Sequence, residues 1–225
     1  MIRMEHEGVR LAAIDFGGAG PSALLLHGLG GHTGEWSGTA SWLTESHRVV
    51  ALDARGHGES ERRPADVSLE ARVADVAFAV EELQLAPVTV IGQSLGAITA
   101  LLVAGGRPDL VQALIVVDAS PAAGDDGIVA DVIEGLATWP QPRFELDVME
   151  RMLRETLGRS FWSEWERIAC PVLIVRGGTG DVPAAEAREM VDRLPHARLV
   201  EIPGAGHDLH LDSPAEWREA VSDFL

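Results

Sequence analysis

The sequence predicts an α/β fold: a doubly wound, mostly parallel β-sheet flanked by helices. Three observations carry this reading. The apolar runs Ala23 to Leu26, Val49 to Leu52, Val88 to Ile91, Leu114 to Val117 and Val172 to Val175 are nearly continuous rather than alternating. Strands of that kind are covered on both faces, as in a parallel sheet between two helical layers. Helical stretches separate the runs, and alternation of strand and helix is the signature of a doubly wound sheet. Finally, 225 residues with 46% hydrophobic content suffice for one sizeable core and are short for two domains.

Each element has a local reason. Residues Arg3 to Ile14, broken near Glu7-Gly8, read as an antiparallel hairpin leading into the sheet. Leu69, Val73, Val76, Val80 and Leu83 fall on one stripe at three- and four-residue steps, with Glu70, Arg72, Asp75, Glu81 and Glu82 mostly on other faces. Val88 to Gly96 runs straight into the small-residue helical stretch Ala97 to Ala104. Between Asp118 and Cys170 the alternation pauses. Here lie two amphipathic helices, the first with Ile128, Val129, Val132, Ile133 and Leu136, the second with Val148, Met149, Met152, Leu153 and Leu157. Trp139-Pro140-Gln141-Pro142 divides them. A strand follows from Arg198 to Ile202, and Ser213-Pro214 opens a last helix that buries Trp217, Val221 and Phe224.

The densest chemical signal is Gly92-Gln93-Ser94-Leu95-Gly96. A serine between two glycines, at the tip of a strand–turn–helix, sits on strained backbone with its hydroxyl open to a substrate. Side chains at Gly92 and Gly96 would collide with the neighbouring helix and strand. Upstream, the first buried run ends in His27-Gly28-Leu29-Gly30-Gly31, a loop whose backbone N–H groups are free to point inward. The amides of Leu29 and Leu95 are the candidate donors to a developing oxyanion. Downstream, Pro203-Gly204-Ala205-Gly206-His207 places a histidine past a strand end. Two carboxylates follow strand ends as well: Asp181 in Gly177-Gly178-Thr179-Gly180-Asp181, and Asp118 in Leu114-Ile115-Val116-Val117-Asp118.

The segments 27–31, 92–96, 177–181 and 204–208, taken with Asp53-Ala54-Arg55-Gly56-His57-Gly58-Glu59-Ser60, make five that resemble the α/β-hydrolase fold superfamily, in its small soluble esterase, lactonase and perhydrolase-like members. The resemblance covers nearly the whole chain. It implies an acyl-enzyme hydrolase in which Ser94 is the nucleophile, His207 the general base and Asp181 its orienting acid. Asp118 is the alternative acid, because some relatives take theirs from that earlier strand. The amides of Leu29 and Leu95 would form the oxyanion hole; the segment 53–60 is architectural. The insertion at about 120–166 stands where the family places a cap, and it is short, which implies a reduced lid. Trp139, Phe144, Met149, Met152 and Trp162 are its candidate pocket residues. The same machinery in relatives also serves acyl transfer, peracid formation as in cofactor-free haloperoxidases, C–C bond hydrolysis and small-molecule reception. An intact Ser94, His207 and Asp181 argue against a receptor without turnover, and the leading expectation is hydrolysis of a carboxylic ester, lactone or related acyl substrate.

Charge and composition narrow the partners. A net charge of −17 repels nucleic acid and anionic membranes and does not itself define a partner; the small-molecule acyl substrate is what the resemblance implies. No metal spacing and no organic-cofactor motif is present, and the chemistry requires neither. The opening residues lack an apolar signal region and the one cysteine, Cys170, has no partner for an internal disulfide, so a cytoplasmic location is expected. Oligomeric state is not encoded in any of these features.

Overall fold

The computed structural model describes residues 1–225. In chain order the elements are β1 (Ile2–His6), β2 (Val9–Gly17), β3 (Ser22–Leu26), α1 (Ser37–Leu43), β4 (Arg48–Asp53), α2 (Leu69–Glu82), β5 (Val88–Gln93), α3 (Leu95–Gly106), β6 (Val111–Val117), α4 (Val129–Ala137), α5 (Leu146–Leu157), α6 (Trp162–Trp165), β7 (Val172–Gly177), α7 (Ala184–Arg193), β8 (Ala197–Ile202), α8 (Leu209–Asp212) and α9 (Pro214–Ser222). The strands form one sheet ordered β1-β2-β4-β3-β5-β6-β7-β8. β1 and β2 pair antiparallel to each other, and β2 pairs antiparallel to β4. Every other pairing is parallel. The hairpin turns at Glu7 (φ 50°) and Gly8 (φ 77°), a pair of left-handed residues that matches the twist of the flanking strands.

The continuous apolar runs are explained by two separate cores. Leu24, Val50, Val90, Val116 and Ile174 point to one face, where α2 and α3 cover them with Val76, Val80, Ala97 and Leu101. Their neighbours Leu25, Ala51, Ile91, Ile115 and Val175 point to the other, beneath Ala40 and Leu43 of α1 and Trp217 and Val221 of α9. Each such side chain contributes about 1.5–3 kcal/mol by leaving water, so neither face of the sheet tolerates polar substitution. α3 lies close against the sheet because it is built of small residues, and nine of its twelve residues are buried.

The crossover from β6 to β7 carries the insertion. α4 and α5 build a third, smaller core from Leu136, Phe144, Val148, Met149 and Met152 against Val67. Arg72 of α2 ties α5 to the body by donating to Thr156 Oγ1 at 2.8 Å. Arg63 holds Glu145 and Asp147 at 2.9 and 3.0 Å. No helix is long and apolar enough to cross a membrane.

Candidate active site

β3, β5, β6, β7 and β8 run parallel, so their carboxyl ends share one edge of the sheet, and the loops that leave this edge carry the candidate residues. β5 and β6 are adjacent, with Gln93 opposite Val117, so Ser94 and Asp118 emerge side by side. Ser94 has φ 51° and ψ −118°, a conformation that costs about 1–3 kcal/mol and survives only where the surroundings enforce it. Here its N–H donates to the Val117 carbonyl at 3.0 Å, and its own carbonyl accepts from Ala97 and Ile98 at 2.9 and 3.1 Å. A Cβ on Gly92 would stand 2.5 Å from the Gly96 carbonyl oxygen. One on Gly96 would stand 2.5 Å from the carbonyl oxygens of Leu26 and His27. Both obstacles are backbone, so the two glycines are required. The Ser94 hydroxyl caps no helix N–H and remains free to face outward.

His207 Nδ1 donates to Asp118 Oδ2 at 2.8 Å, and the Asp118 side chain is fully buried. The same carboxylate accepts from the Gly177 N–H on Oδ1 at 3.1 Å and from the Asp181 N–H on Oδ2 at 2.8 Å. Asp118 itself sits at φ 44°, the second strained residue at this edge. Asp181, ranked first by the sequence, lies in solvent: its side chain is 77% exposed and its Oδ2 lies 3.3 Å from His207 Nδ1. The loop Gly177 to Asp181 wraps the Asp118 carboxylate and serves it through backbone N–H groups. A Cβ on Gly180 would collide with both Asp118 carboxylate oxygens, which accounts for the glycine there. Of the two carboxylates at the imidazole, Asp118 is therefore the nearer and the buried one, at 2.8 against 3.3 Å. A dry carboxylate held by two amides is fixed, whereas one in solvent is free to rotate.

Burial pulls the His207 pKa down, but the hydrogen bond to Asp118 and the charges of Asp181, Asp118 and Asp208 outweigh it and hold the pKa above the ordinary histidine value. With Nδ1 engaged by the carboxylate, Nε2 is the nitrogen left for proton transfer. No hydrogen bond joins Ser94 Oγ to His207 in this geometry, although both side chains line one cleft.

The loop from His27 to Gly31 is braced by segment 53–60. Asp53 accepts from the Thr33 N–H at 2.6 Å and from the Glu59 N–H at 2.9 Å. His57 Nε2 accepts from the Gly30 N–H at 3.1 Å, so its proton is on Nδ1, which donates to the Arg55 carbonyl. His27 repeats the pattern, accepting from the Ala54 N–H at 3.0 Å and donating to the Gly28 carbonyl at 2.8 Å. Burial lowers the pKa of both rings, which keeps them neutral and able to accept. The N–H groups of Leu29 and Leu95 donate to no protein acceptor. His32 caps the short helical turn Thr33–Trp36 by accepting from the Gly34 N–H. His210 stacks on Trp36 with ring centroids 4.3 Å apart, and burial holds its pKa at about 4.

The cleft encloses about 720 Å³. Of the five apolar residues expected at the pocket, Trp139 lines it. Phe144, Met149 and Met152 are buried instead in the core between the insertion and the body. Trp162 packs against the main core with the Arg193 guanidinium 4.5 Å over its ring. The walls come from Ile128, Val132 and Leu136 before and on α4, from Leu153 and Leu157 on α5, and from Ile98 on α3. α5 presents its Met149 and Met152 edge inward and its Leu153 and Leu157 edge to the cleft. A helical stripe in the sequence does not say how the helix is rotated.

Gln93 was not singled out by sequence, although it stands beside the serine. It is buried, and its Nε2 donates to Asp208 Oδ1 at 3.1 Å and to the His207 carbonyl at 3.3 Å, tying the serine turn to the histidine loop. Its position, a buried amide at the last residue of a central strand, was the available signal. Glu35 lies beneath the glycine loop, and burial together with the charge of Asp208 raises its pKa to about 7.

A sequence model described as "Alpha/beta hydrolase family" matches residues 23–220. The sn-1-specific diacylglycerol lipase ABHD11 of Mus musculus is 28% identical over 254 residues, covering 91% of this chain and 81% of that protein. The pimeloyl-[acyl-carrier protein] methyl ester esterase of Methylococcus capsulatus is 43% identical over 108 residues, covering 48% of this chain and 41% of that protein. Among solved structures, the enol-lactonase from Burkholderia xenovorans superposes with a TM-score of 0.86 at 21% identity, covering 99% of both chains, a likeness of fold.

Proposed function

This chain belongs to the alpha/beta hydrolase family, and we propose that it is a serine hydrolase that cleaves a carboxylic ester, lactone or related acyl substrate through an acyl-enzyme on Ser94. One observation carries the reading: a serine on an enforced, strained turn shares a cleft with a histidine whose Nδ1 is bonded to a buried carboxylate. The ester-cleaving relatives support the substrate class.

The residues supply each step. His207 Nε2 takes the Ser94 proton as Oγ attacks the substrate carbonyl, and the electron pair of the C=O moves onto oxygen. The Leu29 and Leu95 amides meet that oxyanion; a donor of this kind is worth about 3–4 kcal/mol in comparable sites. Collapse of the intermediate expels the alcohol oxygen, which takes the proton from His207 and leaves the acyl group on Ser94. Water, deprotonated by the same imidazole, then attacks the acyl carbonyl; collapse of this second intermediate breaks the bond to Ser94 Oγ, which takes the proton back from His207 as the acid leaves. Asp118 keeps Nε2 free to accept and stabilises the imidazolium. The insertion at about 120–166 acts as a short lid that forms one wall of the cleft.

The test is Ser94→Ala, assayed with p-nitrophenyl butyrate and with an alkyl fluorophosphonate probe. Loss of turnover by at least about 10³-fold, with labelling abolished and the fold intact by circular dichroism, is expected. Near-wild-type turnover by the purified variant refutes the assignment.

A further inference from the structure

The charges that line the cleft are one-sided. Asp118, Asp125, Asp181, Glu186 and Asp208 line it, with His207, and no arginine does. The chain has 18 cationic residues, every one an arginine and none a lysine, so a partner for an anionic ligand was available and is placed elsewhere. Three of the five carboxylates are occupied: Asp118 by His207 and two amides, Asp208 by Gln93, and Asp125 by the Gly127 N–H at 2.8 Å. Glu186 is not, and Asp181, whose Oδ2 stands 3.3 Å from His207 Nδ1, is 77% exposed and open to a ligand.

Resting on the proposed reading of the site, we infer that the cleft selects esters without negative charge, and that Asp181 and Glu186 are the residues that reject a carboxylate-bearing substrate. A substrate carboxylate would have to leave water and settle near these groups with no arginine to meet it. Its desolvation would not be compensated, and the like charges would repel. An uncharged acyl chain meets no such penalty. It gains contact with Ile98, Leu153, Leu157 and Trp139, which line the same space. The net charge of −17 acts in the same direction at longer range by lowering the local concentration of anions.

A pair of esters of matched shape tests this. Methyl 6-methylheptanoate and monomethyl adipate differ by an isopropyl group in place of a carboxylate at the end of the chain. Methanol release at 10 mM ionic strength should give a kcat/KM at least about tenfold higher for the neutral ester. In Asp181→Asn/Glu186→Gln the ratio should fall to within about threefold of unity. Taking a ratio cancels any change at His207 common to both substrates. Adding 1 M NaCl, where the Debye length is about 3 Å, should narrow the wild-type ratio as well. Equal kcat/KM for the two esters in the wild type, or a ratio unmoved by the double variant, overturns the selection and leaves the hydrolase reading standing. Failure to cleave either ester, together with no fluorophosphonate labelling of Ser94, overturns the hydrolase reading itself and the selection with it.

Discussion

Replacing the two carboxylates near His207 one at a time should separate them by orders of magnitude. When His207 takes the serine proton it becomes an imidazolium 2.8 Å from a fully buried Asp118 carboxylate. At an effective dielectric constant of 20, that attraction is about 332/(20 × 2.8), or about 6 kcal/mol. Asp118→Asn removes it, a loss of about 10⁴-fold in kcat. The amide has no orientation without cost: either its NH₂ faces Nδ1 and reverses the tautomer, or it faces the Gly177 N–H. Asp181 lies 3.3 Å from the same nitrogen but is 77% exposed, so a dielectric constant near that of water applies. The corresponding figure is about 332/(80 × 3.3), or about 1.3 kcal/mol before salt screening. Asp181→Asn should therefore cost at most about tenfold in kcat. The assay is steady-state hydrolysis of p-nitrophenyl butyrate at pH 8, with folding of each variant checked by thermal denaturation. If Asp181→Asn loses 10³-fold or more while Asp118→Asn stays within tenfold of wild type, the assignment of the acid is refuted.

Three further outcomes follow from particular residues. His207 acts as base only when neutral and its pKa is raised, so kcat/KM should increase with pH through a midpoint above 6.5 and then level off. In Asp181→Asn that midpoint should move to lower pH, by about one unit or less, and an unchanged midpoint would show that Asp181 exerts no field at the ring. Glu35 has its pKa raised to about 7, so the folded state favours its neutral form. Stability from this group is whole below about 4.5 and is lost as pH rises towards 7. Glu35→Gln should accordingly raise Tm by about 2–4 °C at pH 8 and change it little at pH 4, and the opposite order in a calorimetric scan would contradict the buried-carboxyl reading. Trp139 lines the cleft and Trp162 does not. In a series of p-nitrophenyl esters, Trp139→Ala should shift the preferred acyl length upwards, whereas Trp162→Ala should leave it unchanged.

Much of the site was legible because its signals are local. The turn at Ser94 is written in the consecutive residues 88–104: a strand of β-branched residues, two glycines that cannot carry a Cβ, and a helical stretch of mostly small residues. Steric conflict across one turn needs no information from the rest of the chain. The two-sided burial of the central strands and the left-handed hairpin at Glu7-Gly8 were readable for the same reason.

Which carboxylate lies buried against His207 was not legible. Asp118 and Asp181 each follow a buried strand and precede His207, and the sequence pattern favoured Asp181. What separates them is solvent and loop path: the chain from Gly177 to Asp181 folds over Asp118, excludes water from it and turns its own carboxylate outward. The rotation of α5 was hidden likewise, since Met149, Met152, Leu153 and Leu157 form one apolar stripe and only packing against Val67 and Leu136 decides which edge is core. The sequence alone determined the sheet, the serine turn and the set of loops at its carboxyl edge, because those depend on patterning and sterics within short segments. The tertiary structure alone decided which carboxylate is buried against His207 and which side chains wall the cleft, because burial and distance are properties of segments that meet only in the folded chain.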